Sequence, residues 1–166
     1  MITADYVSRA ETWLFITTLI YFLMNGAQLF ETAVIVPKWT ASPPDSLQLF
    51  KGKYGLDFKT FWIALHSVHE ITFILAIIFC WQLESVRNVL LVLFGIHFAV
   101  RVWTILYFAP AIMEFQKVAN VTNQEADLRP RTALWKKLNY IRVGLFVAVS
   151  FGLVPLCVYL INLKLS

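Results

Sequence analysis

The sequence predicts an all-α integral membrane protein, a four-helix up-and-down bundle, on three observations. First, of 166 residues 59% are hydrophobic and 14% charged, with a mean hydropathy of +0.68, too poor in charge for a water-facing surface. Second, four apolar runs, about 13–36, 61–82, 86–108 and 141–163, are each long enough to cross ~30 Å of hydrocarbon at about 1.5 Å per residue. Third, lipid offers no water to backbone groups, so spans of this kind are helices, most simply packed as an up-and-down bundle. Residues 1–166 then form a single transmembrane domain.

The first run exceeds the roughly 7 to 15 residues of a signal-peptide core. It carries Asn25, Gln28 and Glu31 at i+3 steps on one face, without a small-residue cleavage pattern after it, so it reads as a retained helix. The connection over about 37–57 contains SPPDS and GKYG, punctuation that stops the first helix. Its remainder, LQLFKGKYGLDF, is amphipathic and suited to the membrane interface.

Runs two and three are separated only by about 83–85, so they are antiparallel neighbours. Residues 116–132 are the most polar part of the chain, and their NVT at Asn120 matches a glycosylation acceptor, read as chance spacing on the predicted cytoplasmic side. Pro110 and Pro155 read as helix kinks or ends.

Nine basic residues lie in or beside the first and third connections (Lys38, Lys51, Lys53, Lys59, Lys117, Arg129, Arg131, Lys136, Lys137), against Arg9, Arg87 and Lys164 on the other side. The positive-inside bias places both long loops in the cytoplasm and both termini opposite. The cations track helix ends rather than one aromatic-interleaved patch, which argues against nucleic acid as a partner. Cys80 and Cys157 fall within apolar runs and read as buried, unreactive thiols.

The three histidines all lie in apolar runs, two of them in HSVHE. At about 100° per residue His66, His69 and Glu70 share a sector of about 100° on helix two, with Trp62 and Phe73. On helix three His97, Arg101 and Thr104 form a stripe, as Trp135, Asn139 and Arg142 do on helix four. Reflecting helix two about the turn near Ser85 brings Glu70 level with Arg101, and Glu31 and Arg142 reach the same layer from the other helices. Four ionised groups scattered in lipid would cost roughly 10 kcal/mol, at about 2.5 to 3.5 each, so convergence around one internal cavity is expected.

That cavity supports several chemistries. Glu31, His66, His69, Glu70 and His97 are nitrogen and oxygen donors suited to iron, zinc or copper, although Arg101 would repel a cation; a haem between His97 and His66 or His69 is a narrower form. Without metal, His69 or His66 with Glu70 serves as base, His97 as acid, and Arg101 and Arg142 as anion stabilisers acting on a hydrophobic small molecule from the bilayer. Proton-coupled transport by an oligomer, a ligand-binding role without turnover, and a purely structural polar network are the remaining readings.

The runs NGAQLFETAVIVPKW and WKKLNYIR resemble the anthrone-oxygenase-like family of small four-helix membrane proteins. The family pattern is matched by Gly26, Glu31, Pro37 and Trp39, then by Trp135, Asn139 and Arg142. The resemblance implies oxygenation of polycyclic phenolic substrates without an established cofactor, with Asn139 and Arg142 among the catalytic residues. HSVHE and HFAVR lie outside that pattern. Sterol-isomerase-like proteins, which also use intramembrane acids, are a second resemblance carried by no specific motif.

Overall fold

A computed structural model describes residues 3–118 and 125–165, and among these there is no strand. Four helices are long and apolar enough to cross a membrane. Helix α1, Ala4–Trp39, starts at an N-cap where Thr3 Oγ1 accepts from the Tyr6 N–H at 3.3 Å, satisfying a donor with no partner inside the helix. Helix α2 is Lys59–Phe79, with Asp57 Oδ1 accepting from the Lys59 N–H at 2.9 Å. Helix α3 runs as Glu84–Trp103 and continues to Ala109–Val118, and α4 is Glu125–Leu165. The segment before α2 carries a 3₁₀ turn, Asp45–Phe50, whose Leu47 is buried.

Two of these helices pass through π turns, at Glu31–Ile35 and Thr104–Phe108. Each precedes a proline by the same offset: the Val36 N–H bonds Glu31 O ahead of Pro37, and the Ala109 N–H bonds Thr104 O ahead of Pro110. Proline lacks an N–H and its ring clashes with the carbonyl four residues earlier; widening the turn relieves that clash without breaking the helix. The first helix therefore passes through Pro37 instead of ending before it.

The helices also extend beyond the apolar runs. Residues 125–132, expected as loop, belong to α4, because Leu128, Thr132 and Trp135 are buried. A small core of Val36, Trp39, Leu47, Phe108, Phe115, Leu128 and Trp135 lies there. Amphipathic extensions of this sort fail a hydropathy test but satisfy a packing one. Asn120, the glycosylation match, lies outside the described residues.

The main core holds Leu14, Tyr21, Met24, Phe73, Leu90, Phe146 and Leu153. Polar pairs tie the helices: the Thr17 hydroxyl donates to Thr72 O at 2.7 Å, Asn25 Nδ2 to Ser150 Oγ at 2.8 Å, and Lys164 Nζ to Glu11 at 2.8 Å. At Gly152 a Cβ would meet Leu93 Cδ2 at 2.8 Å, so glycine lets α3 and α4 approach closely. Cys80 and Cys157 are free thiols, Cys80 buried and Cys157 only partly so. Large apolar side chains face outward on all four helices, among them Leu23, Ile71, Leu106 and Phe151, a surface that water disfavours.

Candidate functional site

A cavity of about 500 Å³ lies where the two π turns and the loop before α2 meet. Glu31, His66, Arg101 and Arg142, one from each long helix, line it with Gln28 and Thr104. Trp39, Phe50, Phe58, Trp62 and Phe108 supply aromatic wall, and the exposed Asp57 and Lys59 also border it. Glu31 and Thr104 are the first residues of the two π turns, so the prolines set the local helix geometry of two opposite walls.

Arg142 is held on two sides, by Asn139 and by the Phe108 ring. Its NH2 donates to Asn139 Oδ1 at 2.7 Å, Asn139 Nδ2 donates to Thr32 Oγ1 at 3.0 Å, and its Cζ lies 4.5 Å from the Phe108 ring centroid. The two bonds fix the orientation of the Asn139 amide, since one end must accept and the other donate. The cation over an aromatic face adds further attraction. Glu31 and Trp62 line the same cavity as Arg142.

Behind the Arg101 wall lies a second polar group. His97 Nε2 is 3.0 Å from Glu70 Oε2 and His97 Nδ1 is 3.1 Å from the Tyr21 hydroxyl. With Glu70 ionised beside Arg101 its carboxylate only accepts, which assigns the proton to His97 Nε2 and leaves Nδ1 to accept from the Tyr21 O–H. Arg101 Nε lies 3.9 Å from the same Glu70 oxygen. Glu70 thus bridges the histidine to the guanidinium that faces the cavity.

His69 packs edge-on against Tyr21, with ring centroids 4.1 Å apart, and is wholly buried. Neither of its ring nitrogens has a protein partner among the described residues. The same is true of Asn25 Oδ1, Gln28 Oε1, His66 Nδ1 and Arg142 Nε. Buried polar atoms are rarely left unpaired, and three of these side chains, Gln28, His66 and Arg142, line the cavity.

The structure therefore divides the residues singled out from sequence. Glu31, His66, Arg101 and Arg142 meet in the cavity; His69, Glu70 and His97 form the group behind it; and Asn139 positions Arg142. The proposed metal set of Glu31, His66, His69, Glu70 and His97 is not brought together. Among the described residues no three His, Cys, Asp or Glu side chains are disposed to hold a metal ion. The physical reason is that both His97 nitrogens are engaged and Glu70 is turned toward Arg101. The ring centroids of His69 and His97 are 4.7 Å apart, too close for a haem to lie between them.

Three contributors escaped the sequence reading: Tyr21, Thr32 and Phe108. Tyr21 and Thr32 do carry a signal, since Tyr21, Asn25, Gln28 and Thr32 fall at i, i+4, i+7 and i+11 on one helical stripe. No family model, curated protein or solved structure matches this chain. The function must be argued from the site itself.

Proposed function

We propose that this chain is a multi-pass membrane enzyme whose four helices form an up-and-down bundle, and that its cavity takes a hydrophobic small molecule and abstracts a proton from a carbon conjugated to a carbonyl group. The observation that carries this reading is the meeting of Glu31, His66, Arg101 and Arg142 from four helices around one aromatic-walled cavity. A cavity of this size suits a drug-sized ligand. The positive-inside bias puts the basic end of the bundle, and the long loop before α2, in the cytoplasm.

Proton abstraction requires a base near the C–H bond and cations where charge develops. His66 or the Glu31 carboxylate takes the proton, the electron pair moves onto the substrate oxygen, and Arg101 and Arg142 stabilise the oxyanion. Glu70 and His97 hold Arg101 in place, as Asn139 holds Arg142. Return of the proton to another carbon completes an isomerisation. Alternatively the same enolate passes one electron to dioxygen, the resulting radical pair combines through a new C–O bond to a peroxide anion, and the proton held by the base returns to that anion to give a hydroperoxide, a route in which dioxygen is the oxidant. That second outcome accords with the oxygenase-like resemblance of the first and last helices.

The test is deuterium exchange. Protein in lipid nanodiscs would be incubated in D₂O with a compact lipophilic ketone such as anthrone or a steroid 3-ketone, with mass gain and oxygen uptake followed together. Protein-dependent mass gain, lost in His66→Ala and in Arg101→Leu, is the expected result. Mass gain no faster than in empty nanodiscs across such ketones would defeat the reading, and oxygen uptake would separate oxygenase from isomerase.

A further inference from the structure

A second cavity, of about 300 Å³, lies between α1 and the start of α2. Glu31, Phe58 and Trp62 belong to both cavities. Ala27, Phe30, Ile35 and Phe61 complete the smaller one. Its wall is hydrocarbon apart from Glu31, and Phe30 and Phe61 reach the outer surface, where they are 60% and 50% exposed. It is thus an apolar groove that runs from the outer face of the bundle to the same three side chains that wall the polar cavity.

The two differ in what they can hold. On the inner side Arg101 and Arg142 retain donor capacity: among the described residues Arg142 Nε is unpartnered, and Arg101 meets Glu70 through its Nε. Guanidinium groups in that state favour a carboxylate or another oxyanion. The outer side offers no such donor, and a polar group placed there would go unsatisfied. A hydrocarbon chain would meet apolar contacts at every step.

Building on the reading of the cavity as a ligand chamber, we propose that the two spaces are one site for an elongated amphiphile. Its oxyanionic or carbonyl head lies at Arg101 and Arg142, and its hydrocarbon tail passes Trp62 and leaves through the groove between α1 and α2. The substrate class is then a long-chain lipid-like acid or ketone that is never fully withdrawn from the bilayer. Because acyl chains already solvate the tail there, the groove sets the direction of the chain and adds little affinity per methylene.

The probe is stearic acid carrying a mid-chain diazirine, photolysed with the wild-type protein in phosphatidylcholine nanodiscs, the adducts being mapped by peptide mass spectrometry. Adducts should concentrate on residues 27–35 and 58–62. Excess palmitate should suppress them at least fivefold, and excess hexadecane should not. Ala27→Trp, which fills the groove, should reduce them to a similar degree, and Phe61→Ala, which removes part of its wall without added bulk, should reduce them as well. Adducts spread evenly over outward residues such as Leu23 and Leu106, or equal competition by hexadecane, would mean ordinary lipid contact and would overturn the proposal. Ketone exchange without groove adducts would leave the enzyme reading standing and remove this one.

Discussion

Glu70 on α2 and His97 on α3 meet through a 3.0 Å hydrogen bond, and the same carboxylate oxygen lies 3.9 Å from Arg101. The contact joins two helices linked by a turn of only a few residues, and it places a balanced pair of charges where the cavity wall needs a fixed cation. His97 is fully buried, whereas Glu70 and Arg101 keep 28% and 20% side-chain exposure.

Removing the Glu70 charge should therefore leave Arg101 uncompensated. Truncating one partner of a buried pair costs about 3–5 kcal/mol, and the partial exposure here places Glu70→Gln at or below the lower end of that range. The double variant Glu70→Gln, Arg101→Gln should recover part of the loss. Unfolding titrations in detergent on a double-mutant cycle check this, and strictly additive losses would show that the two side chains do not couple.

Tyr21→Phe should destabilise the protein by about 1–3 kcal/mol, because it leaves His97 Nδ1 buried without its donor. The substitution changes little volume, so a packing account predicts almost no effect. Thermal unfolding of the two proteins in one detergent distinguishes the accounts.

Arg142→Leu should slow ketone deuterium exchange by roughly 10² to 10³, the scale seen when an oxyanion donor is removed. Asn139→Leu should slow it by a smaller factor, because the guanidinium stays while its hydrogen-bonded orientation is lost. Equal rates for wild type and Asn139→Leu would show that the Thr32–Asn139–Arg142 chain has no positioning role.

Pro37→Ala should restore a normal helical turn near Glu31. Ala is preferred over Pro inside a helix by up to about 3 kcal/mol, so stability should hold or rise while exchange activity falls. Loss of stability together with activity would show that the π turn is required for packing as well as for the site. Pro110→Ala tests the same idea at Thr104.

Much of the fold was legible in the order of residues, because the four long apolar runs fall on the four helices that are long and apolar enough to cross a membrane. The layer of ionisable groups was legible too: reflection about the short turn brought Glu70 level with Arg101, and these side chains are in contact. Helical periodicity specifies which face a residue occupies and its distance from a turn specifies its depth.

What folding in three dimensions alone decided was how those groups divide. The donors that composition offers to a metal are drawn apart because Glu70 and His97 bond each other while Glu31 and His66 turn to the cavity. Pro37 and Pro110, which read locally as stops or kinks, instead widen their helices and carry on. Contacts with α4 hold those continuations in place through Trp39, Phe108 and Trp135. A periodic pattern carries direction and depth, but the pairing of one polar side chain with another depends on distances between separate helices, and those exist only once the helices have packed.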